Sequence, residues 1–356
     1  PLGREFLDKV LTELVEKNGS DLHLHVGEPP IFRIDGKLLR TDAPPLTADD
    51  TKHIAFSLMN QERREKFRKN LELDMSYAIA GVARFRVNIF SQKGHLGAAM
   101  RTIPLHIKTI DEWGLPPIIK KLSILPRGFV LVTGPTGSGK STTLAAMIEQ
   151  INSVTRAHIV TIEDPIEFMH KDKMATVQQR EIGVDTHSFA DALKHAMRQN
   201  PDVILVGEMR DLETISLAIT AAETGSLVLA TLHTVDAAQT VDRMVDMFPP
   251  EQQQQIRLQL SATLQAVVSE TLLPLVDRKG RIAAFEILMC TPAVRNVIRE
   301  GKPEQIYSII QSGAKYGMKL LDQSLKELYL RGLVSYGDAL AKASNPQEFE
   351  ESISRA

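Results

Sequence analysis

The chain has 356 residues, of which 43% are hydrophobic and 24% charged, and its 42 Lys and Arg against 44 Asp and Glu leave a formal net charge of −2. That is apolar material for about two packed domains, with a charge balance that argues against a basic nucleic-acid surface. The single cysteine, Cys290, excludes an internal disulfide and a C-x-x-C zinc site. No run approaches the roughly 18 uninterrupted apolar residues that span a bilayer, so a reducing cytosol and membrane association only through partners are expected.

In chain order, Phe6, Leu7, Val10, Leu11, Leu14 and Val15 fall at helical spacing and predict an amphipathic helix over residues 5 to 17. Next comes alternation, with Leu22, Leu24 and Val26 on one face and Asp21, His23 and His25 on the other. Asp35-Gly36 marks a hairpin between two strand-like runs. A charged helix is expected over residues 47 to 69, and a second hairpin around Gly81. In "ARFRVNIF" the period of two turns Ala83, Phe85, Val87 and Ile89 inward and Arg84, Arg86 and Asn88 outward; Arg101 ends the following apolar run. Residues 1–105 therefore predict a small α+β domain. Trp113-Gly114-Leu115-Pro116-Pro117 punctuates a linker at residues 106–117.

Beyond it, apolar runs alternate with helical segments. Candidate strands are 129–133, 158–162, 203–206, 227–231 and 284–288, with helices such as 140–151 and 189–198 between them. This alternation predicts an α/β core over 118–290, a mainly parallel sheet covered on both faces. From 291 to 356 the pattern is helical and more polar.

"GPTGSGKST" is a complete phosphate-loop pattern: Gly134, Pro135, Thr136, Gly137, Ser138, Gly139, Lys140, Ser141 and Thr142. Its glycines let backbone N–H groups converge on phosphate oxygens, and the helix that starts there presents its positive end. Lys140 is expected at the β- and γ-phosphates of ATP, and the Ser141 hydroxyl on Mg²⁺. Chance alone gives such a pattern in about one chain in a hundred of this length.

A bound Mg–nucleotide needs a carboxylate near the metal and a group that orients the attacking water. Two strand ends offer them, and both are expected beside the cradle. "HIVTIEDP" ends in Glu163 and Asp164, with Pro165 marking where the backbone leaves the sheet. "DVILVGEMRD" ends in Glu208. Glu163 is the candidate for polarising water and Glu208 for the metal; taken singly, each is equally the kind of carboxylate that caps a helix. His233, at the end of a third strand, suits a γ-phosphate sensor, a subunit contact or a satisfied structural histidine. The arginines Arg84, Arg86 and Arg101 fit either a solvated face or charge supplied in trans to a transferring phosphoryl group.

With these residues in place, the chain resembles the type IV pilus retraction ATPases of the secretion ATPase superfamily, nearly end to end. "TIEDPIEF" resembles their aspartate box, "NPDVILVGEMRDLET" their Walker B segment, and "TGSLVLATLHTVDAAQTVDRMVDMFP" their histidine box. "AVRNVIRE" at 293–300 resembles the retraction signature, and "GSDLHLHVGEPPIFRIDGKL" the PAS-like N-terminal domain. The resemblance implies a PAS-like domain before a RecA-like ATPase core and a C-terminal helical subdomain. It further implies a cytoplasmic homohexamer at the inner-membrane base of the pilus, acting on a platform protein, with Arg84, Arg86 and Arg101 reaching nucleotide and the signature acting separately from hydrolysis.

Ser226 and Val235 stand where the family commonly has histidine and asparagine, and Val294 and Val297 replace Ile and Leu in the signature. Thr291 and Pro292 are suited to start the signature helix, whose stripe is Val294, Val297 and Ile298, with Arg295, Arg299 and Glu300 pointing elsewhere. Three alternatives stay open. Extension or secretion ATPases of the superfamily typically carry a tetracysteine module and a long N-terminal extension. An accessory retraction paralogue would share every motif, and a RecA-like nucleic-acid translocase would share the cradle.

Overall fold

The computed structural model describes residues 1–103 and 105–356, which form two units. The first comprises residues 1–107 together with 165–169. It holds a six-stranded sheet of β1 (Asp21–Leu24), β2 (Ile31–Ile34), β3 (Lys37–Arg40), β4 (Glu72–Ile79), β5 (Ala83–Gln92) and β6 (His95–Ile103), in the order β3-β2-β1-β6-β5-β4. Every pairing is antiparallel. The helix Arg4–Glu16 buries Leu7, Val10, Leu11 and Leu14 of the six residues its periodicity singled out, and leaves Phe6 and Val15 half-buried. Asp35 and Gly36 both take positive φ in the turn joining β2 to β3, as a tight primed hairpin requires. Along β5, Ala83, Phe85, Val87 and Ile89 are buried and alternate with the arginines.

The charged helix expected over 47–69 is two helices, Ala48–Leu58 and Gln61–Asn70. Met59 swings to extended backbone, and the Asn60 side chain accepts from the Arg63 N–H at 2.9 Å. An asparagine cap inside a run of charges makes a new helix start there.

The second unit comprises residues 108–164 and 170–356. The stretch expected as a linker carries one helical turn, Ile110–Trp113, closed by a Thr109–Glu112 capping box. The unit's sheet has seven strands: β7 (Gly128–Thr133), β8 (His158–Glu163), β9 (Thr176–Glu181), β10 (Val203–Val206), β11 (Leu227–Leu232), β12 (Leu264–Pro274) and β13 (Arg281–Met289). Their order is β13-β12-β7-β11-β10-β8-β9, and all pairings are parallel except β12 with β13.

Both faces are covered. Phe129, Leu131, Ile204, Val206, Val228 and Ala230 belong to one core, while Val130, Val132, Val203, Leu205, Leu227 and Leu229 belong to another. Strands buried on two sides read as continuous apolar runs, which is why β7, β8, β10 and β11 were visible in the sequence. A third cluster, including Leu273, Ala284, Leu325, Leu328 and Phe349, seats the helices Leu321–Leu330, Tyr336–Lys342 and Pro346–Ser354.

Candidate nucleotide-binding and catalytic site

All six residues of β7 are buried, so the strand delivers the phosphate loop to the sheet's carboxyl edge from a fixed base. The turn out of β7 needs glycine. Gly134 has φ 153°, and a Cβ there would lie 2.4 Å from the Glu270 carbonyl oxygen and 2.5 Å from Ser138 Oγ. Gly139, left-handed at φ 97°, caps the helix Lys140–Val154 with no side-chain cap bond, which leaves the first-turn N–H groups for an anion. Lys140 is buried; its Nζ donates to the carbonyls of Gly134 at 2.7 Å and Pro135 at 3.0 Å and lies 3.5 Å from His233 Nδ1. The loop thus holds its ammonium group inside its own curve.

His233 follows β11, the neighbour of β7, and Glu208 lies just past β10, the next strand over. His233 Nε2 lies 2.7 Å from Glu208 Oε1, and Arg210 Nη2 donates to Glu208 Oε2 at 2.5 Å. With its hydrogen on Nε2, the ring donates to Glu208 and accepts from Lys140, the one arrangement that serves both partners. The structure therefore strings Lys140, His233, Glu208 and Arg210 into one chain of contacts. Burial works to raise the Glu208 pKa, but the hydrogen bonds from Arg210 and His233 and the Arg210 charge outweigh it and hold the carboxyl below its ordinary value. Among the described residues no group of three or more His, Cys, Asp or Glu side chains could hold a metal. Ser141 and Glu208 carry the hard oxygen donors that Mg²⁺ takes, and both Glu208 oxygens are engaged here by Arg210 and His233.

Glu163 corrects one expectation. It is the last residue of β8, and β8 is separated from β7 by both β11 and β10; β10, which Glu208 follows, is itself separated from β7 by β11, so neither strand neighbours the cradle's. At about 4.8 Å per strand, roughly 14 Å of sheet separates β8 from β7. Glu163 Oε2 accepts from Thr161 Oγ1 at 2.7 Å and from Gln179 Nε2 at 3.1 Å. The three arginines lie in the first unit. Arg86 Nη1 is 3.2 Å from Glu167 Oε1, Arg84 donates to Ser76 Oγ at 2.7 Å, and Arg101 Nε donates to Asp21 Oδ1 at 2.9 Å.

Several residues around this edge were not singled out from sequence. Thr161 and Arg210 could have been, since each sits two positions from a candidate carboxylate. Glu270 could not. It lies on β12, which was not anticipated, and its Oε2 accepts from Thr143 Oγ1 of the phosphate-loop helix at 2.9 Å. Burial pushes its pKa up to about 8, against the Thr143 hydrogen bond and the charge of Lys140. Arg295 of the signature helix is engaged rather than idle: its Nη1 donates to the Ser261 and Leu264 carbonyls at 2.7 and 2.9 Å, capping the helix Pro250–Thr263 where β12 begins. The signature helix itself starts at Pro292 and buries Val294, Val297 and Ile298.

A phosphate loop at the carboxyl edge of a largely parallel sheet, with acidic groups ending strands beyond it, defines a P-loop ATPase. Within that class the chain belongs to the type II/IV secretion system protein family, whose model matches residues 2–340. It is 51% identical over 343 residues to the type IV pilus retraction ATPase PilT of Pseudomonas aeruginosa, covering 95% of this chain and 99% of the relative. It is 50% identical over 318 residues to a twitching motility protein of Neisseria gonorrhoeae, covering 89% of this chain and 85% of that one. Among solved structures it matches the pilus retraction motor PilT with bound ADP at a TM-score of 0.88 and 46% identity, over 96% of this chain and 98% of that one.

Proposed function

We propose that this chain is a motor ATPase that hydrolyses ATP to power type IV pilus retraction, and with it twitching motility. One observation carries the reading: a chain with a complete phosphate loop is 51% identical, over 95% of its length, to a retraction ATPase. In this reading the phosphates of ATP lie on Gly134–Thr142, and Lys140 Nζ exchanges the Gly134 and Pro135 carbonyls for β- and γ-phosphate oxygens. Ser141 and Glu208 would hold Mg²⁺, which would supply charge neutralisation for the transferring phosphoryl group. Glu163 orients the attacking water. His233, touching both Lys140 and Glu208, relates the phosphate side of the site to the metal side.

The working form is a cytoplasmic homohexamer acting on an inner-membrane platform protein, with Arg84, Arg86 and Arg101 as candidates for charge supplied to a neighbouring copy's nucleotide. Contact with the membrane is through that partner; among the described residues no helix is long and apolar enough to cross it. Nucleic acid is not a substrate in this reading. Phosphate release measured across a sizing column tests it. Activity is expected in a six-subunit fraction; activity confined to monomer, or dependent on added DNA, would overturn it.

A further inference from the structure

The chain leaves the second unit after Asp164 and returns at His170, and residues 165–169 between belong to the first unit. Within that unit Glu167 pairs with Arg86, and Met169 Sδ lies 3.2 Å from Arg84 Nη1. The return stem is fastened to the phosphate-loop helix. Asn152 Nδ2 donates to the Lys171 carbonyl at 2.7 Å, its Oδ1 accepts from the Lys173 N–H at 3.0 Å, and Lys173 Nζ pairs with Glu149.

Gln179 spans the two stems. It stands on β9 opposite Thr161 of β8, so its side chain shares a face with Thr161 and Glu163. Its Oε1 accepts from the His170 N–H at 2.9 Å, and its Nε2 donates to Glu163 Oε2 at 3.1 Å. The orientation of this amide follows from its neighbours. The His170 N–H can only donate and an ionised carboxylate can only accept, so a flipped amide would lose both bonds at once. One stem, held on the helix, thus fixes the amide oxygen, and the amide nitrogen in turn fixes the carboxylate. Thr161 adds a second donor to the same oxygen, and two donors on one oxygen set the plane in which the other points.

We propose that Gln179 is a positioning residue for hydrolysis, aiming the Glu163 carboxylate by tying it to the return stem of the 164–170 loop. The inference rests on Glu163 being the group that orients water. In this role Gln179 acts through Glu163.

The test uses the full chain with Gln179→Glu and Gln179→Ala, each alone and on a Glu163→Gln background, read as ATP turnover and as ADP affinity by calorimetry. Gln179→Glu is the same shape and keeps an acceptor for the His170 N–H but has no donor for Glu163, so it stays informative if the alanine variant folds poorly. Each single variant should lower kcat roughly tenfold to a hundredfold while ADP affinity stays within about twofold. Neither should slow Glu163→Gln further, because a residue that works only through a missing group has nothing left to lose. Wild-type kcat in Gln179→Glu, or losses that multiply onto Glu163→Gln, would overturn the proposal. Wild-type turnover in Glu163→Gln alone would remove the role of Glu163 itself, a separate failure that takes the proposal with it.

Discussion

The two ends of the second unit's carboxyl edge are built differently. At β7 and β12 the groups that would meet phosphate come from buried backbone and one short loop: Gly134, Gly139 and Lys140 lie within six residues, and their supports are strands with covered faces. At β8 and β9 the carboxylate proposed to orient water stands near the edge of the sheet. Its Oε2 accepts from Thr161 and Gln179. On the proposed reading, the phosphate-binding groups follow a strand with both faces covered, while the carboxylate proposed to orient water stands one strand in from the sheet's edge.

That contrast breaks most sharply at Lys140. Lys140→Ala removes a buried point charge from the phosphate side, and calorimetry should show ADP and ATP affinity lower by about a hundredfold or more, the scale of one to two charge-assisted hydrogen bonds. Normal affinity would mean that the loop binds by its backbone alone.

Glu270 gives an effect of a different kind on the same side, one of stability rather than chemistry. Burial raises its pKa to about 8, against an ordinary value near 4.5, so the folded chain binds this proton more tightly than the unfolded chain. Its contribution to stability is therefore full below the ordinary value and lost as pH rises through about 8. Glu270→Gln is neutral at every pH. Denaturant midpoints should shift in its favour from about pH 5 to about pH 8, at a limiting slope of about 1.4 kcal/mol per pH unit, and run parallel above. Parallel profiles throughout would place a different group in charge of that pH range.

The sequence made the first end legible and the second only half so, for the same reason. Strands β7, β10 and β11 are buried on both faces and announce themselves as apolar runs, and a phosphate loop has a fixed spacing of glycines. Strand β9 reads Thr-Val-Gln-Gln-Arg-Glu: an edge strand with little to bury, it has no apolar run, so the partner that Gln179 provides for Glu163 stayed hidden. Strand β12 follows the helix Pro250–Thr263 with no turn residue between, and Ser269-Glu270-Thr271 interrupts its apolar run. Those interrupting residues lie against the cradle, Ser269 with its Oγ 2.6 Å from Thr133 Oγ1 and Glu270 on Thr143. Periodicity could supply the identity of Glu163 and Glu208 but not the order of strands, which decides how far each stands from the phosphate loop. The split of the 47–69 helix at Asn60 was missed because a single capping side chain looks like one more polar residue in a charged run.

Phosphate release and ADP binding by Glu163→Gln, measured side by side on the full chain, probe the division of labour most directly. Turnover should fall by about two to three orders of magnitude, the scale of losing one preorganised group at a reacting centre, with ADP affinity unchanged. Turnover at the wild-type rate, or a loss of ADP affinity as large as that of Lys140→Ala, would contradict it.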